Sequence, residues 1–283
     1  MDIAKTLNEI AIKYGTPVYA YDGEYIQSRF NKLSSAFAEI DCEIHYAMKA
    51  NENNEILKII KNLGGGIDAV SANEVDRALS IGFNPQEIVF TPSCASLDEI
   101  IYALDKKVNI HIGAVEYFPL LGNRLIGKKI GLRINPGVSI EGNQKIATSH
   151  KNSKFGIPFT QLNKVIEYMH KYDFNIIGLH IHTGSNVNNV EDLINSVDKL
   201  FEYSKLFPAL KYLDIGSGLK IKYKETDKEI DIIKYANHIK NKLENNDLKL
   251  KIIIEPGKYL VGNAGYLVTS VNIVKRGFEK TFV

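Results

Sequence analysis

The sequence predicts an α/β protein: a closed (β/α)8 barrel of the TIM type, with part of a second, β-rich domain contributed by both chain ends. Three observations carry this reading. Eight short runs rich in β-branched residues recur along the 283 residues, at 44–48, 66–70, 88–91, 109–113, 129–135, 176–182, 212–215 and 251–254. Between most of them lie stretches with apolar residues three and four apart and charges on the other face, at 54–63, 72–81, 97–104, 160–171, 190–207 and 228–244. Strand alternating with helix means parallel βα units, and eight units in about 220 residues, roughly 27 each, is the size of a closed barrel. A doubly wound open sheet would want a Gly-x-Gly-x-x-Gly turn after its first strand, and none follows it here.

At the N-terminus, Ile3, Leu7, Ile10, Ala11 and Tyr14 fall at helical spacing with Lys5, Glu9 and Lys13 between them. That is a surface helix and not the apolar stretch of a signal peptide. Residues 17–21 then form a strand ahead of the first unit, and residues 265–274 form one after the last. The expected division is a barrel over 25–262 and an incomplete β-domain from 1–24 plus 263–283. The longest uncharged stretch, 174–190, holds two His, four Asn, Ser and Thr, which excludes a membrane span. With 45% apolar and 24% charged residues there is material for a large core and no disordered tract. Cys42 and Cys94 stand in no Cys-x-x-Cys or ligand cluster, so neither a disulfide scaffold nor a structural zinc site is expected. Thirty-five basic against 33 acidic residues leave a net charge of +2, too little to favour a nucleic-acid partner. A cytoplasmic protein with no membrane partner follows.

A barrel's active site is built from the C-terminal ends of its strands. The first run ends in Tyr46-Ala47-Met48-Lys49-Ala50-Asn51. Lys49 is either a solvated lysine or a mouth residue whose burial beside an apolar strand lowers its pKa toward the free amine needed for an imine. The sixth run ends in His180-Ile181-His182-Thr183-Gly184-Ser185. Residues two apart on a strand face the same way, so both imidazoles point into the barrel. His180 reads as a hydrogen-bonded core histidine. A metal pair is the alternative, but no carboxylate lies near it in sequence. The seventh run ends in Gly216-Ser217-Gly218, where small residues let backbone amides approach an anion and a following helix adds its positive end. The eighth ends in Glu255-Pro256-Gly257-Lys258, a carboxylate at the mouth with a rigid turn behind it. A lysine, a histidine, a glycine-serine anion nest and a carboxylate on four strand ends converge on one ligand, pyridoxal phosphate, with no metal.

On these motifs the chain resembles the fold-type III pyridoxal-phosphate decarboxylases, and among them the diaminopimelate decarboxylases, over nearly its whole length. The resemblance implies that Lys49 carries the cofactor, that Asp68 in Gly66-Ile67-Asp68-Ala69-Val70-Ser71 lies near the imine and the ring, that His182 stacks on the ring face, and that Ser185 holds the phosphate. It implies that Glu255 pairs with the pyridine nitrogen and that Gly216, Ser217, Gly218, Pro256, Gly257 and Lys258 complete the cofactor site. Leu132-Arg133-Ile134-Asn135-Pro136 and Ser153-Lys154-Phe155-Gly156 are further landmarks of the family. Two positions depart from its pattern. Ser217 stands where a glycine is usual. Lys258 stands where an arginine reaches phosphate or substrate carboxylate; lysine keeps that charge without the bidentate fork.

The implied reaction is decarboxylation at the D-configured centre of meso-diaminopimelate to give L-lysine, with Lys49, His182 and Glu255 catalytic and Lys258 also binding substrate. Ornithine, arginine and carboxynorspermidine are the alternative substrates. A non-catalytic pyridoxal-phosphate-binding homologue is the alternative role. The resemblance further implies a homodimer for the full-length protein. It implies that the stop at Val283 truncates the β-domain before a Cys-Glu-x-x-Asp segment and a tyrosine, so this chain is expected to bind cofactor incompletely and turn over little.

Overall fold

The barrel closes because every one of its strands is buried on both faces and finds a parallel neighbour on each side. A computed structural model describes residues 2–138, 149–151 and 153–283. In chain order the elements are α1 (Ile3–Tyr14), β1 (Val18–Tyr21), α2 (Gly23–Ala36), β2 (Cys42–Ala47), α3 (Asn54–Asn62), β3 (Gly66–Ala69), α4 (Ala72–Ile81), β4 (Ile88–Phe90), α5 (Leu97–Asp105), β5 (Asn109–Ile112), α6 (Tyr117–Leu121), β6 (Lys129–Asn135) and β7 (Ile157–Pro158). They continue with α7 (Leu162–Tyr172), β8 (Asn175–His180), α8 (Val190–Ser204), β9 (Tyr212–Asp214), α9 (Ile232–Asn245), β10 (Lys251–Ile254), α10 (Lys258–Val261), β11 (Gly265–Val268), β12 (Lys275–Arg276) and β13 (Thr281–Phe282).

Strands β2, β3, β4, β5, β6, β8, β9 and β10 pair in that order, all parallel, and β10 returns to β2 with Ile252 opposite Cys42 and Ile254 opposite Ile44. These are the eight predicted runs, each within two residues at either end. β7 adds two residues to the outer end of β6, Ile134 opposite Ile157. The helices start where short polar side chains accept from free N–H groups: Asn53 for α3, Ser71 for α4, Asn189 for α8 and Asp231 for α9, with a reciprocal Ser96–Glu99 box on α5.

One large helix lies outside the sequence expectation. α2 buries Ile26, Phe30 and Leu33 and packs between α3 and α9. It takes the place of an eighth barrel helix, because the segment after β10 makes only the single turn of α10. Arg29 ties the two together: its guanidinium lies 3.9 Å from the centre of the Tyr259 ring, its Nε donates to the Tyr259 carbonyl, and Nη1 meets Glu229 at 2.9 Å.

The barrel interior is polar where apolar layers are usual. His111 and Tyr212 fill its middle, bonded Nε2 to Oη at 2.9 Å, and His111 Nδ1 meets Thr91 Oγ1 at 2.9 Å. Gly178 makes the room. A methyl there would sit 2.0 Å from Tyr212 Cζ, so Gly178→Ala must displace a fully packed ring. A loss of about 1–3 kcal/mol is expected, the usual range for overpacking; urea unfolding that leaves the stability unchanged would show that the ring has space to move.

At the chain ends β1 pairs antiparallel with β11, Val18 opposite Val268 and Tyr21 opposite Gly265, and β12 pairs with β13. Only Gly265–Val268 of the predicted 265–274 run forms a strand. The predicted N-terminal helix forms as α1 and buries none of its residues. No helix among the described residues is long and apolar enough to cross a membrane.

Candidate active site

Beyond Ala47 the chain leaves the β2 ladder in a single 3-10 turn, Met48–Ala50, which carries Lys49 over the barrel mouth. Its Nζ donates to Asp68 Oδ2 at 3.0 Å, across from the inward face of β3. Desolvation at the mouth opposes the ammonium charge, although the side chain keeps 48% of its surface exposed, and the Asp68 and Glu255 carboxylates outweigh it and hold the Lys49 amine above its usual range. This corrects the expectation that burial alone would favour the free amine. The strand is apolar, but the barrel interior it faces is lined with acids, and near charges outweigh desolvation. The Asp68 carboxyl is pushed up by burial and by Glu255, against the pull of Lys49.

β8 ends at His180, so His182 lies two residues past the ladder. Both imidazoles still come to one side: His180, His182 and Glu255 each bring a side-chain nitrogen or oxygen within 4.8 Å of the others. The carboxylate absent from the sequence around the histidine pair is therefore supplied from 75 positions away, His180 Nε2 lying 3.0 Å from Glu255 Oε2. His180 is the hydrogen-bonded core histidine of the sequence reading, with a partner that reading did not name. Burial holds His180 well below the ordinary imidazole range, with Arg133 adding to the effect; burial, Lys49 and Arg133 do the same to His182.

The turn Gly216-Ser217-Gly218 after β9 is laced to the 182–187 loop. The Ser217 N–H points at His182 Nδ1 at 3.5 Å, and the Val187 N–H donates to the Gly218 carbonyl at 2.8 Å. Gly216 has φ +57, and a Cβ there would lie 2.4 Å from the Ile181 carbonyl oxygen, so only glycine fits. No helix follows directly to add its positive end, contrary to the sequence expectation. Residues 219–231 run as irregular chain and α9 begins only at Ile232.

Together these loops enclose a cavity of about 380 Å³, lined among others by Lys49, His182, Ser185, Ser217, Gly218, Glu255, Gly257 and Lys258. Of the predicted residues, Asp68 reaches it through Lys49, and Gly216 and Pro256 support its walls; the Pro256 carbonyl accepts from the Ala47 N–H at 3.1 Å. Lys258 sits at the rim, with Nζ donating to Tyr223 Oη at 3.1 Å. Glu255 is 3% exposed, and its Oε1 receives no N–H or O–H donor among the described residues.

Three interior residues were not assigned roles by sequence: Arg133, His111 and Asp214. Arg133 is buried, lies 4.7 Å from the centre of the Phe155 ring, and exerts its charge on Glu255, Asp68 and Asp214. The available signal was a charged or polar side chain at an inward position of an otherwise apolar run, as in Leu132-Arg133-Ile134 and Ile110-His111-Ile112.

A pH dependence of stability follows from the buried imidazoles. Burial holds His111 and His180 neutral in the folded state, whereas the unfolded chain protonates each as pH falls through about 6.5. Their contribution is complete above about pH 6.5 and declines below it, by up to about 1.4 kcal/mol per pH unit for each histidine. The raised carboxyls of Asp68 and Asp214 work in the opposite direction. His180→Asn should therefore flatten the acid decline measured by urea unfolding between about pH 6.5 and 5. A slope as steep as that of the unsubstituted protein would remove this cause.

The residue set fits pyridoxal phosphate: an amine at the mouth, a buried carboxylate oxygen awaiting a donor, an imidazole lining the cavity, and a glycine-serine wall with a lysine at its rim. The family model for the pyridoxal binding domain of pyridoxal-dependent decarboxylases matches residues 24–262. Diaminopimelate decarboxylase of Aquifex aeolicus is 36% identical over 98% of this chain and 68% of its own length. That of Methanothermobacter thermautotrophicus is 32% identical over 96% and 67%. The crystal structure of diaminopimelate decarboxylase from Helicobacter pylori complexed with L-lysine superposes with a TM-score of 0.89 at 31% identity, covering 95% of this chain and 70% of that one. A barrel whose mouth gathers these groups, matched at this identity along almost its full length, belongs to the pyridoxal-dependent decarboxylases, in the diaminopimelate decarboxylase family.

Proposed function

We propose that the chain catalyses the pyridoxal-phosphate-dependent decarboxylation of meso-diaminopimelate at its D-centre to L-lysine, as a carboxy-lyase of lysine biosynthesis. The observation that carries this reading is the meeting of Lys49, His182 and Glu255 at one cavity, with Asp68 bonded to Lys49, in a chain similar to diaminopimelate decarboxylases of several organisms. The likeness to a lysine/ornithine decarboxylase of Vibrio vulnificus, at 20% identity, speaks for the fold alone.

Bound pyridoxal phosphate supplies an electron sink for the pair released when carbon dioxide leaves. The chain's own residues do the rest. Lys49 is the attachment point, and Asp68 orients its amine and takes part in its proton balance. Glu255, whose Oε1 has no donor among the described residues, would accept from a protonated ring nitrogen and keep that proton in place. His182, held neutral by burial, would lie against the ring without adding a competing positive charge. Ser185, Gly216, Ser217, Gly218, Pro256 and Gly257 would hold the phosphate, and Lys258 at the rim would meet the phosphate or the substrate's carboxylate.

The barrel over 25–262 is the cofactor domain, and 1–24 with 263–283 belong to a second β-domain begun by the β1–β11 pair. A homodimer is the assembly we assign, supported by the exposed apolar side chains Tyr19, Leu267, Val271, Ile273 and Val274 around that pair. The cytoplasm is the compartment, supported by two free cysteines. Borohydride reduction of the cofactor-loaded protein followed by peptide mapping tests the assignment. The pyridoxyl label belongs on Lys49, and a label on another lysine would overturn it.

A further inference from the structure

Behind Glu255 stands a second buried carboxyl that the proposed chemistry does not use. Asp214, the last residue of β9, is 0% exposed. Its Oδ1 accepts from the Gly216 N–H at 2.9 Å, while Oδ2 has no N–H donor among the described residues and lies 4.0 Å from His111 Nδ1. Asp214, Glu255 and His111 bring side-chain atoms within 4.8 Å of one another, and the two carboxyls are within hydrogen-bonding reach. Other titratable or charged groups act on this space from several elements: Cys42 on β2 and Lys49 just after it, Asp68 on β3, Arg133 on β6, His180 on β8, Tyr212 on β9 itself, and Tyr235 on α9.

Two adjacent carboxyls in a dry interior do not both ionise, because each desolvated charge raises the cost of the other. Among the described residues Arg133 and the Lys49 ammonium are the cations shown acting on these acids, and the imidazoles are held neutral by burial, so two positive charges face the three carboxyls of Asp68, Asp214 and Glu255. Each carboxyl has one bonded oxygen, Glu255 Oε2 with the His180 ring nitrogen at 3.0 Å and Asp214 Oδ1 with the Gly216 N–H at 2.9 Å, but Glu255 lines the cavity and attracts Lys49, whereas Asp214 lies fully buried behind it. The proton of the pair is therefore better placed on Asp214, where it becomes a donor for an oxygen that has none.

We propose that Asp214 is a positioning residue which holds a proton at neutral pH and donates it toward Glu255, so that Glu255 alone carries the negative charge presented to the cofactor's ring nitrogen. Burial and the neighbouring Glu255 charge push the Asp214 carboxyl well above the ordinary range. Each carboxylate oxygen has two lone pairs, so the Asp214 and His180 contacts leave Glu255 able to accept a further donor. The consequence for the site rests on the reading of Glu255 given above; the proton on Asp214 does not.

Infrared spectroscopy of the cofactor-free protein at about pH 7, where an ordinary aspartate is ionised, tests the proton directly. The carbonyl-stretch band of a buried protonated carboxyl is expected, lost in Asp214→Asn and retained in Asp68→Asn. A band that persists in Asp214→Asn overturns the proposal. Carboxyl-carbon NMR of the unsubstituted protein with labelled aspartate gives the same answer without a variant: one aspartate should keep its protonated shift through neutral pH, and ionised shifts for all of them would overturn it.

The positioning role has its own readout. An amide at 214 still donates to Glu255 but does not titrate, so Asp214→Asn should bind pyridoxal phosphate within about threefold of the unsubstituted protein near neutrality. The alkaline fall in its affinity should move to higher pH. An unmoved alkaline limb would reject the coupling of Asp214 to the site. Equal affinity of Glu255→Gln and the unsubstituted protein would instead reject the Glu255 reading, leaving the infrared result standing.

Discussion

Lys49→Ala should release the cofactor from covalent attachment and lower decarboxylation by about 10³-fold or more, since it removes both the covalent anchor and a group that moves protons in the reaction. The substitution also leaves Asp68, 1% exposed, without its ion-pair partner. Part of any loss would then reflect a disturbed acid and not missing chemistry. Lys49→Arg separates the two. Its guanidinium keeps a charge beside Asp68 and the fold with it, yet remains protonated and does not attack a carbonyl. We therefore expect Lys49→Arg to melt close to the unsubstituted protein while matching the inactivity of Lys49→Ala. Cofactor absorbance retained after denaturation, together with carbon dioxide release from diaminopimelate, reads both. Substantial turnover by either variant would refute Lys49 as the attachment point.

Glu255→Gln is the second large effect. The amide preserves size and keeps a polar group facing His180, where Glu255 Oε2 now lies 3.0 Å from Nε2. What it loses is the negative charge in a water-poor site, the property needed to keep a ring nitrogen protonated. A preorganised electrostatic partner of this kind is worth about 10²–10³ in kcat, or about 3–4 kcal/mol. The fall should lie mainly in kcat, because the charge matters most as electrons move toward the ring. Glu255→Asp keeps the charge but shortens the reach, so it should recover little of the loss. If Glu255→Gln keeps its kcat within about threefold, the carboxylate is a structural partner of His180 and no more.

The legible and illegible parts divide along particular residues. The eight strands could be located because parallel strands buried on both faces appear as continuous β-branched runs, and α4 was bounded at 72–81 as it forms. α2 was missed although Ile26, Phe30 and Leu33 repeat at helical spacing behind the Asp22 cap. Strand–helix alternation marks the helices that follow a barrel strand, and α2 precedes the first of them. The anion-nest reading of Gly216–Gly218 falls on a loop that lines the cavity but attaches it to a helix that begins only at Ile232, since nothing local in residues 219–231 marks how far the chain travels first. Lys49 was placed at the mouth correctly and given the wrong direction of pKa shift, because its two carboxylate neighbours come from strands 19 and more than 200 positions away.

What the sequence determined by itself was the kind of barrel and the chemical types at its strand ends, because both are local: strand periodicity and strand-end motifs lie within a few residues of one another. Only the tertiary structure decided which of those groups share charge and protons. Glu255 meets His180, Asp214 stands behind it, Arg133 enters the same interior, and α2 closes the helical ring, all through contacts between segments distant in the chain. Electrostatic energies depend on separation in space and on exclusion of water. In this protein, both are set by closure of β10 against β2.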